Sequence, residues 1–122
     1  MIVNLIFMSE EKSPIALCEE KYPETTKEFK KILKEQYEVF CRKQLNYGPD
    51  NISVGSRLET SDEIKVSLTG LWFRMNDKIQ RLKQLVLFNK EDMVGETIED
   101  TYQDLSVYNI IAQIVSRGKW GK

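Results

Sequence analysis

The chain has 122 residues, the size of one domain and too few for two independent hydrophobic cores. Its 41% hydrophobic and 30% charged residues are typical of a folded globular protein and exclude a disordered chain. The formal net charge of −1 provides no excess of Lys and Arg for the many phosphates of duplex nucleic acid. We therefore expect no binding to duplex nucleic acid.

Histidine is absent, and the two cysteines, Cys18 and Cys41, are far apart in the sequence. A zinc site is therefore not expected, and Ser–His–Asp and Cys–His nucleophile systems are excluded. Any catalysis would have to be assisted by a metal ion. Two thiols without a disulfide framework favour a reduced cytoplasmic protein, located in the host cytoplasm if the protein is viral.

The first residues, MIVNLIFMS, contain an apolar run from Ile2 to Met8. A membrane span needs about 20 such residues, and a signal peptide needs a basic segment that is missing here. We expect neither membrane insertion nor export. Residues 1–24 are predicted to form an N-terminal arm and a connector. The apolar run forms a short strand or an apolar arm that packs on the domain or on a second copy, and the connector after it contains one helical turn.

The first long helix is predicted over about 26–45, where apolar residues recur at helical spacing. Thr25 and Glu28 have the spacing of a capping box at its start. Gly48 can adopt a left-handed conformation at its end, and Pro49 prevents its continuation.

Residues 58–68 are compatible with either a short helix or a short strand. Thr60 or Ser61 could cap the helix, and Gly70 would end either element. A strand is suggested by the alternating apolar residues Ile64, Val66 and Leu68.

Two more long helices follow, the second over about 71–89 and the third from Thr97, which forms a capping box with Asp100, to Gly118. The buried stripe of the second helix is predicted to contain Leu71, Met75, Ile79, Leu82, Leu85 and Val86. Three long helices without an internal repeat predict an all-α fold. The architecture is a helical bundle with a short N-terminal arm, in which residues 25–122 form a single domain.

Polar side chains of the second and third helices form two candidate stripes. Steps of three and four residues place four of them on one side of the second helix: Arg74, Asp77, Lys78 and Arg81. Steps of four residues align three on the third helix: Asp100, Asp104 and Tyr108. If the two faces meet, cations and carboxylates lie together.

Two arrangements are possible if these cations and carboxylates face each other. In the first, Arg74 or Arg81 forms buried salt bridges with Asp100 or Asp104, and these pairs set the helix register. In the second, the carboxylates, with Asp77 as a third, hold Mg²⁺ while Arg and Lys side chains hold phosphates. Two carboxylates spaced by four residues occur on many ordinary helices, so the spacing alone favours the structural outcome.

Three blocks in order, NYGPDNIS, SLTGLWFRMNDKIQRLKQLV and TIEDTYQDLSVYNIIAQIV, resemble the nucleotide modification associated domain, type 1, a family found in phages and bacteria. The resemblance covers roughly residues 28–117 and implies a role with nucleotides or modified bases. The site residues that it implies are Tyr47, Gly48, Asn51, Arg74, Asp77, Lys78, Arg81, Asp100, Asp104 and Tyr108.

The layout is also similar, more distantly, to the all-α MazG and dimeric dUTPase types of nucleoside triphosphate pyrophosphohydrolase. In that family, acidic pairs on adjacent helices bind Mg²⁺. The present sequence departs from the pattern, because Asp77 is the only acid among the cations of the second helix. Glu35 and Glu38 have the ExxE spacing on the first helix instead.

The leading hypothesis is a homo-oligomeric phage protein of nucleotide metabolism or DNA modification that binds a nucleotide and hydrolyses it with Mg²⁺. Arg74, Lys78 and Arg81 would contact phosphates, and Tyr47, Gly48, Asn51 and Tyr108 would complete the nucleotide site. Asp77, Asp100 and Asp104 would hold the metal. One alternative is a non-catalytic protein that sequesters a nucleotide or a nucleotide signal. A second is a protein-interaction module in which the charges form only structural salt bridges.

Overall fold

The computed structural model of the protein describes residues 11–122. Within this range the chain forms helices and no strands, which confirms the predicted all-α class. The helices in chain order are α1 Pro14–Lys21, α2 Pro23–Tyr47, the short α3 Asp50–Ser53, α4 Ser61–Leu82 and α5 Ile98–Ser116. A π-helical segment, Lys83–Leu87, continues α4. The predicted apolar arm at Ile2–Met8 lies outside the described residues.

The chain divides into two compact units, and the boundary between them lies within α2, between Glu38 and Val39. The described part of the first unit buries no side chain, and α1 occupies most of the predicted connector. Ser13 caps α1 by accepting a hydrogen bond from the Ala16 N–H at 3.2 Å. The predicted domain division between residues 24 and 25 stays a prediction.

The second unit, residues 39–122, has its core between α4 and α5. Leu71 on α4 is 1% exposed, and Val115 on α5 is fully buried. The other buried apolar residues are Ile52, Leu58, Ile111 and Trp120. The Trp120 Nε1–H donates to the Pro49 carbonyl at 3.0 Å, so the end of the chain is held against the turn between α2 and α3.

Residues 61–82 form one continuous helix, so the prediction that Gly70 ends a separate element is wrong. Thr60 caps the helix as expected: its hydroxyl accepts from the Glu63 N–H at 3.1 Å, and its N–H donates to the Glu63 carboxylate at 3.0 Å. Glycine inside a helix costs about 1 kcal/mol relative to alanine. Burial of Ser67 and Leu71, on either side of Gly70, offsets this cost.

The start of α2 also differs from its prediction. The helix begins at Pro23, whose restricted φ suits the first helical turn, so the capping box predicted at Thr25 and Glu28 is wrong. Three predicted boundary residues are confirmed: Gly48, Thr97 and Gly118. Both glycines have left-handed backbones, and the Thr97 hydroxyl accepts a hydrogen bond from the first turn of α5.

The predicted apolar stripe of the second long helix is confirmed in part. Leu71 is buried, and Met75, Leu82 and Leu85 are half-buried. Ile79 and Val86, which we expected to be buried, are 50% and 48% exposed. The reason is that α4 turns Leu71 and Lys78, which are two turns apart, toward α5, and Ile79 lies about 100° further round the helix.

None of the helices in residues 11–122 combines the length and hydropathy that crossing a bilayer requires.

Candidate functional site

A cavity of about 250 Å³ lies in the second unit among the end of α2, α4, α5 and the end of the chain. Its aromatic wall is formed by Phe40, Tyr47, Tyr108 and Trp120. Its polar lining consists of Lys43, Gln44, Asn51, Arg74, Gln103 and Asp104. Aromatic faces with a few convergent polar groups are typical of small-molecule sites.

A second cavity, of about 260 Å³, is lined by Arg74, Asp77, Lys78, Arg81 and Tyr108. Arg74 and Tyr108 therefore border both cavities. The Arg74 guanidinium lies 5.9 Å from the centre of the Tyr108 ring, which is cation–π distance. One Arg74 N–H also donates to the Asn51 carbonyl at 2.8 Å. The two cavities thus share a wall made of one cation and one aromatic ring.

The structure brings together much of the residue set that was predicted to bind a nucleotide. Tyr47, Asn51, Arg74 and Tyr108 line the first cavity, and the predicted cations Lys78 and Arg81 line the second with Arg74. Gly48 lines neither cavity, because it forms the left-handed end of α2. Their roles in binding stay predictions.

Lys78 is held by two carboxylates. Its Nζ lies 2.9 Å from a Glu96 oxygen and 3.0 Å from an Asp104 oxygen, and only 20% of its side chain is exposed. Burial alone would lower the pKa of Lys78, but the hydrogen bonds to Glu96 and Asp104 outweigh burial and raise that pKa above its ordinary value of 10.5. Lys78 is therefore charged and internally neutralised.

Arg81 joins α4 to the start of α5 and to the loop before it. Its Nε–H donates to the Thr101 hydroxyl at 3.0 Å, and its Nη2 lies 3.0 Å from a carboxylate oxygen of Asp92 and also donates to the Glu96 carbonyl. A hydrogen bond from the Val94 N–H, together with Arg81, holds the pKa of Asp92 below its ordinary value of 3.8. Arg81 is thus engaged in internal contacts, but its carboxylate partners are Asp92 and Glu96 and not the predicted Asp100 or Asp104.

Arg74 differs from these two cations. No carboxylate of residues 11–122 lies within 4.0 Å of its guanidinium. Lys43, which also lines the first cavity, is loosely paired with Asp104 at 3.8 Å and is largely exposed. Within the described part of the chain, Arg74 is therefore the cation of the predicted stripe that has no carboxylate partner, so its charge can meet an anion.

The carboxylates predicted to hold Mg²⁺ do not fit a metal ion well. Asp104 already accepts Lys78 and lies near Lys43, so a metal would compete with two ammonium groups. Asp77 and Asp100 are exposed, and Asp100 lines neither cavity. Among residues 11–122 no three Asp, Glu or Cys side chains are grouped to hold a metal. The magnesium site stays a prediction.

Several lining residues were not predicted. Phe40, Lys43 and Gln44 recur with Tyr47 at steps of three and four along α2, so this spacing was a usable signal. Trp120 follows the helix stop at Gly118, where no periodicity exists to show which way a side chain points. Its burial is a tertiary property.

The comparisons with known proteins support part of the expected resemblance. Residues 67–115 match the family model described as nucleotide modification associated domain 1. Comparison with curated proteins and with solved structures gives no match. The NYGPDNIS block lies outside the matched residues, and no comparison shows the more distant similarity to the MazG-type pyrophosphohydrolases. The resemblance to nucleotide modification associated domain 1 is thus confirmed for residues 67–115, which contain the charged face of α4 and Tyr108.

Proposed function

We propose that the second unit binds a nucleotide or a nucleotide derivative in the cavity bordered by Arg74 and Tyr108. The observation that carries this proposal is that Arg74, which has no carboxylate partner among residues 11–122, borders an aromatic wall. A guanidinium matches the geometry of a phosphate with two parallel hydrogen bonds, and an aromatic ring offers a surface for a base. The nucleotide association in the description of the matched family supports the same ligand class.

The remaining lining suits the other parts of a nucleotide. The rings of Phe40 and Tyr47 provide apolar faces, and base stacking on such faces contributes about 1–3 kcal/mol per base. The amides of Gln44 and Gln103 supply both donors and acceptors, which the edge of a base or a sugar hydroxyl requires. The ligand would lie with its phosphate at Arg74 and its base among the rings.

Binding without hydrolysis is the better-supported form of this function. Hydrolysis of a phosphoanhydride at this site would depend on carboxylates that hold a metal and position water. Asp104, the best placed carboxylate, is paired with Lys78 instead. A protein that sequesters a nucleotide needs Arg74 and the aromatic wall for binding, and it does not need Asp104 to hold a metal. Catalysis, a phage setting and self-association stay predictions.

The test is equilibrium dialysis of purified protein against a panel of mononucleotides, cyclic nucleotides and modified nucleotides, with and without Mg²⁺. Arg74→Ala is expected to weaken binding by about 10- to 100-fold, because a hydrogen bond to a charged group contributes about 1.5–3 kcal/mol. Arg42→Ala is the matched control, since Arg42 is exposed on α2 and lines neither cavity. We expect its affinity to stay within about twofold of the unmodified protein.

Equal affinities for folded Arg74→Ala and Arg42→Ala would contradict the proposal, as would a panel in which nothing binds. Circular dichroism of both variants shows whether they are folded. Chromatography of the dialysed ligand separates the two forms of the function. Recovery of intact nucleotide supports sequestration, whereas a new product that requires Mg²⁺ supports the hydrolase hypothesis.

A further inference from the structure

We infer that the ligand carries a single phosphate group, so that a nucleoside monophosphate or a cyclic mononucleotide binds in preference to a triphosphate. This inference rests on the proposed function and names the ligand class of the same site. Two observations carry it: the balance of charge around Arg74 and the size of the cavity.

The first cavity provides little positive charge. Among residues 11–122, its charged lining residues are the cations Lys43 and Arg74 and the carboxylate Asp104, so their net charge is +1. A phosphate monoester carries a charge of about −1.5 to −2 at neutral pH, and further phosphates add to it. One phosphate therefore brings the cavity close to neutrality, and two more would leave it strongly negative.

The neighbouring cations do not correct this shortfall. Both cavities, taken with their ion-pair partners, contain the four cations Lys43, Arg74, Lys78 and Arg81 and the four carboxylates Asp77, Asp92, Glu96 and Asp104. A phosphate chain extending from Arg74 along α4 would meet carboxylates as well as cations. Like charges brought together at a binding surface cost several kcal/mol.

The cavity is also small. Its volume of about 250 Å³ lies below the usual range of about 300–1,000 Å³ for small-molecule sites. A base and one phosphate are the natural occupants of such a space. A triphosphate chain would extend past Arg74 into the second cavity, where Lys78 and Arg81 already bind carboxylates.

The experiment is a calorimetric titration with the mono-, di- and triphosphates of one nucleoside and its cyclic monophosphate, at fixed ionic strength and without Mg²⁺. The expected result is that the mono- or cyclic form binds at least about tenfold more tightly than the triphosphate. Which of these two binds best distinguishes a phosphate monoester from a diester. A triphosphate that binds as tightly as the monophosphate overturns the inference and leaves the proposed function standing. If none of the four binds for any base, both are overturned.

A variant tests the charge balance directly. Glu96→Gln removes a carboxylate shared by Lys78 and Arg81 without altering the lining of either cavity. We expect it to reduce the preference for the monophosphate over the triphosphate by about threefold or more, because the net charge around Lys78 and Arg81 becomes more positive by one. Glu99→Gln is the matched control, since Glu99 is exposed in the first turn of α5. An equal ratio of affinities in the two folded variants contradicts the inference.

Discussion

Replacing Arg81 by alanine tests whether this cation stabilises the fold or binds the ligand. Arg81 lies on the same face of α4 as Arg74, and both were predicted to contact phosphates. In the structure, however, Arg81 binds the Thr101 hydroxyl and the Glu96 carbonyl, and only 18% of its side chain is exposed. Its loss should therefore weaken the attachment of α5 to α4.

The expected magnitude follows from these contacts. A hydrogen bond from a charged donor contributes about 1.5–3 kcal/mol when its partners are buried. Thr101 is fully buried, but Glu96 is partly exposed and solvent screens its share. We expect Arg81→Ala to lower the free energy of unfolding by about 2 kcal/mol. Nucleotide affinity should change by less than about threefold, because the charge of Arg81 is already neutralised.

Urea denaturation followed by circular dichroism measures the first quantity, and equilibrium dialysis of the folded variant measures the second. Arg42→Ala is the control for loss of an exposed guanidinium, and its unfolding midpoint should match that of the unmodified protein. A structural role for Arg81 is contradicted if Arg81→Ala keeps its stability within about 0.5 kcal/mol and loses nucleotide affinity by about tenfold. Arg81 would then be a phosphate ligand.

Other predictions concern stability. Leu71→Ala should lower the free energy of unfolding by about 2–4 kcal/mol, and Ile79→Ala by less than about 1 kcal/mol, because only Leu71 is buried; urea denaturation compares them. A hydrogen bond from the Thr60 N–H lowers the pKa of Glu63 below its ordinary 4.5. The stability that the ionised Glu63 contributes is fully present above its ordinary pKa and is lost as the pH falls through the lowered pKa. In Glu63→Gln, the melting temperature should therefore fall less steeply as the pH is lowered through this range. Trp120→Phe removes the donor to the Pro49 carbonyl and should cost about 1 kcal/mol; an unchanged urea midpoint would contradict this.

Local sequence signals predicted the helix boundaries that depend on local hydrogen bonds. Thr60, Thr97 and Gly48 act within one helical turn of themselves, so their roles can be predicted from neighbouring residues. Gly70 was misjudged because tertiary packing on both sides of it overrides its low helix propensity. Ile79 was misjudged because the buried face of a helix depends on the position of its partner.

In the candidate site, too, local spacing predicted some features, and others depend on tertiary contacts. Spacing placed Arg74, Lys78 and Arg81 on one face, and this face is observed. Spacing could not show which cation has a carboxylate partner, because Glu96 lies in the loop before α5 and meets Lys78 only in the folded chain. Trp120 belongs to the cavity for a similar reason, since it reaches Pro49 across most of the second unit's sequence.

The two tryptophans allow a direct measurement of where a nucleotide binds. A ¹H–¹⁵N correlation spectrum contains one indole N–H signal each for Trp72 and Trp120, and Trp72→Phe assigns them. Trp120 lines the cavity bordered by Arg74, whereas Trp72 is exposed on α4 and lines neither of the two cavities. Binding in the proposed site predicts that a nucleoside monophosphate shifts the Trp120 signal in a saturable way and leaves the Trp72 signal in place. The nucleotide concentration that half-saturates the shift should rise by about 10- to 100-fold in Arg74→Ala and stay within about twofold in Arg42→Ala. A Trp120 signal that does not move at saturating nucleotide, or an unchanged half-saturating concentration in folded Arg74→Ala, would contradict nucleotide binding at this site.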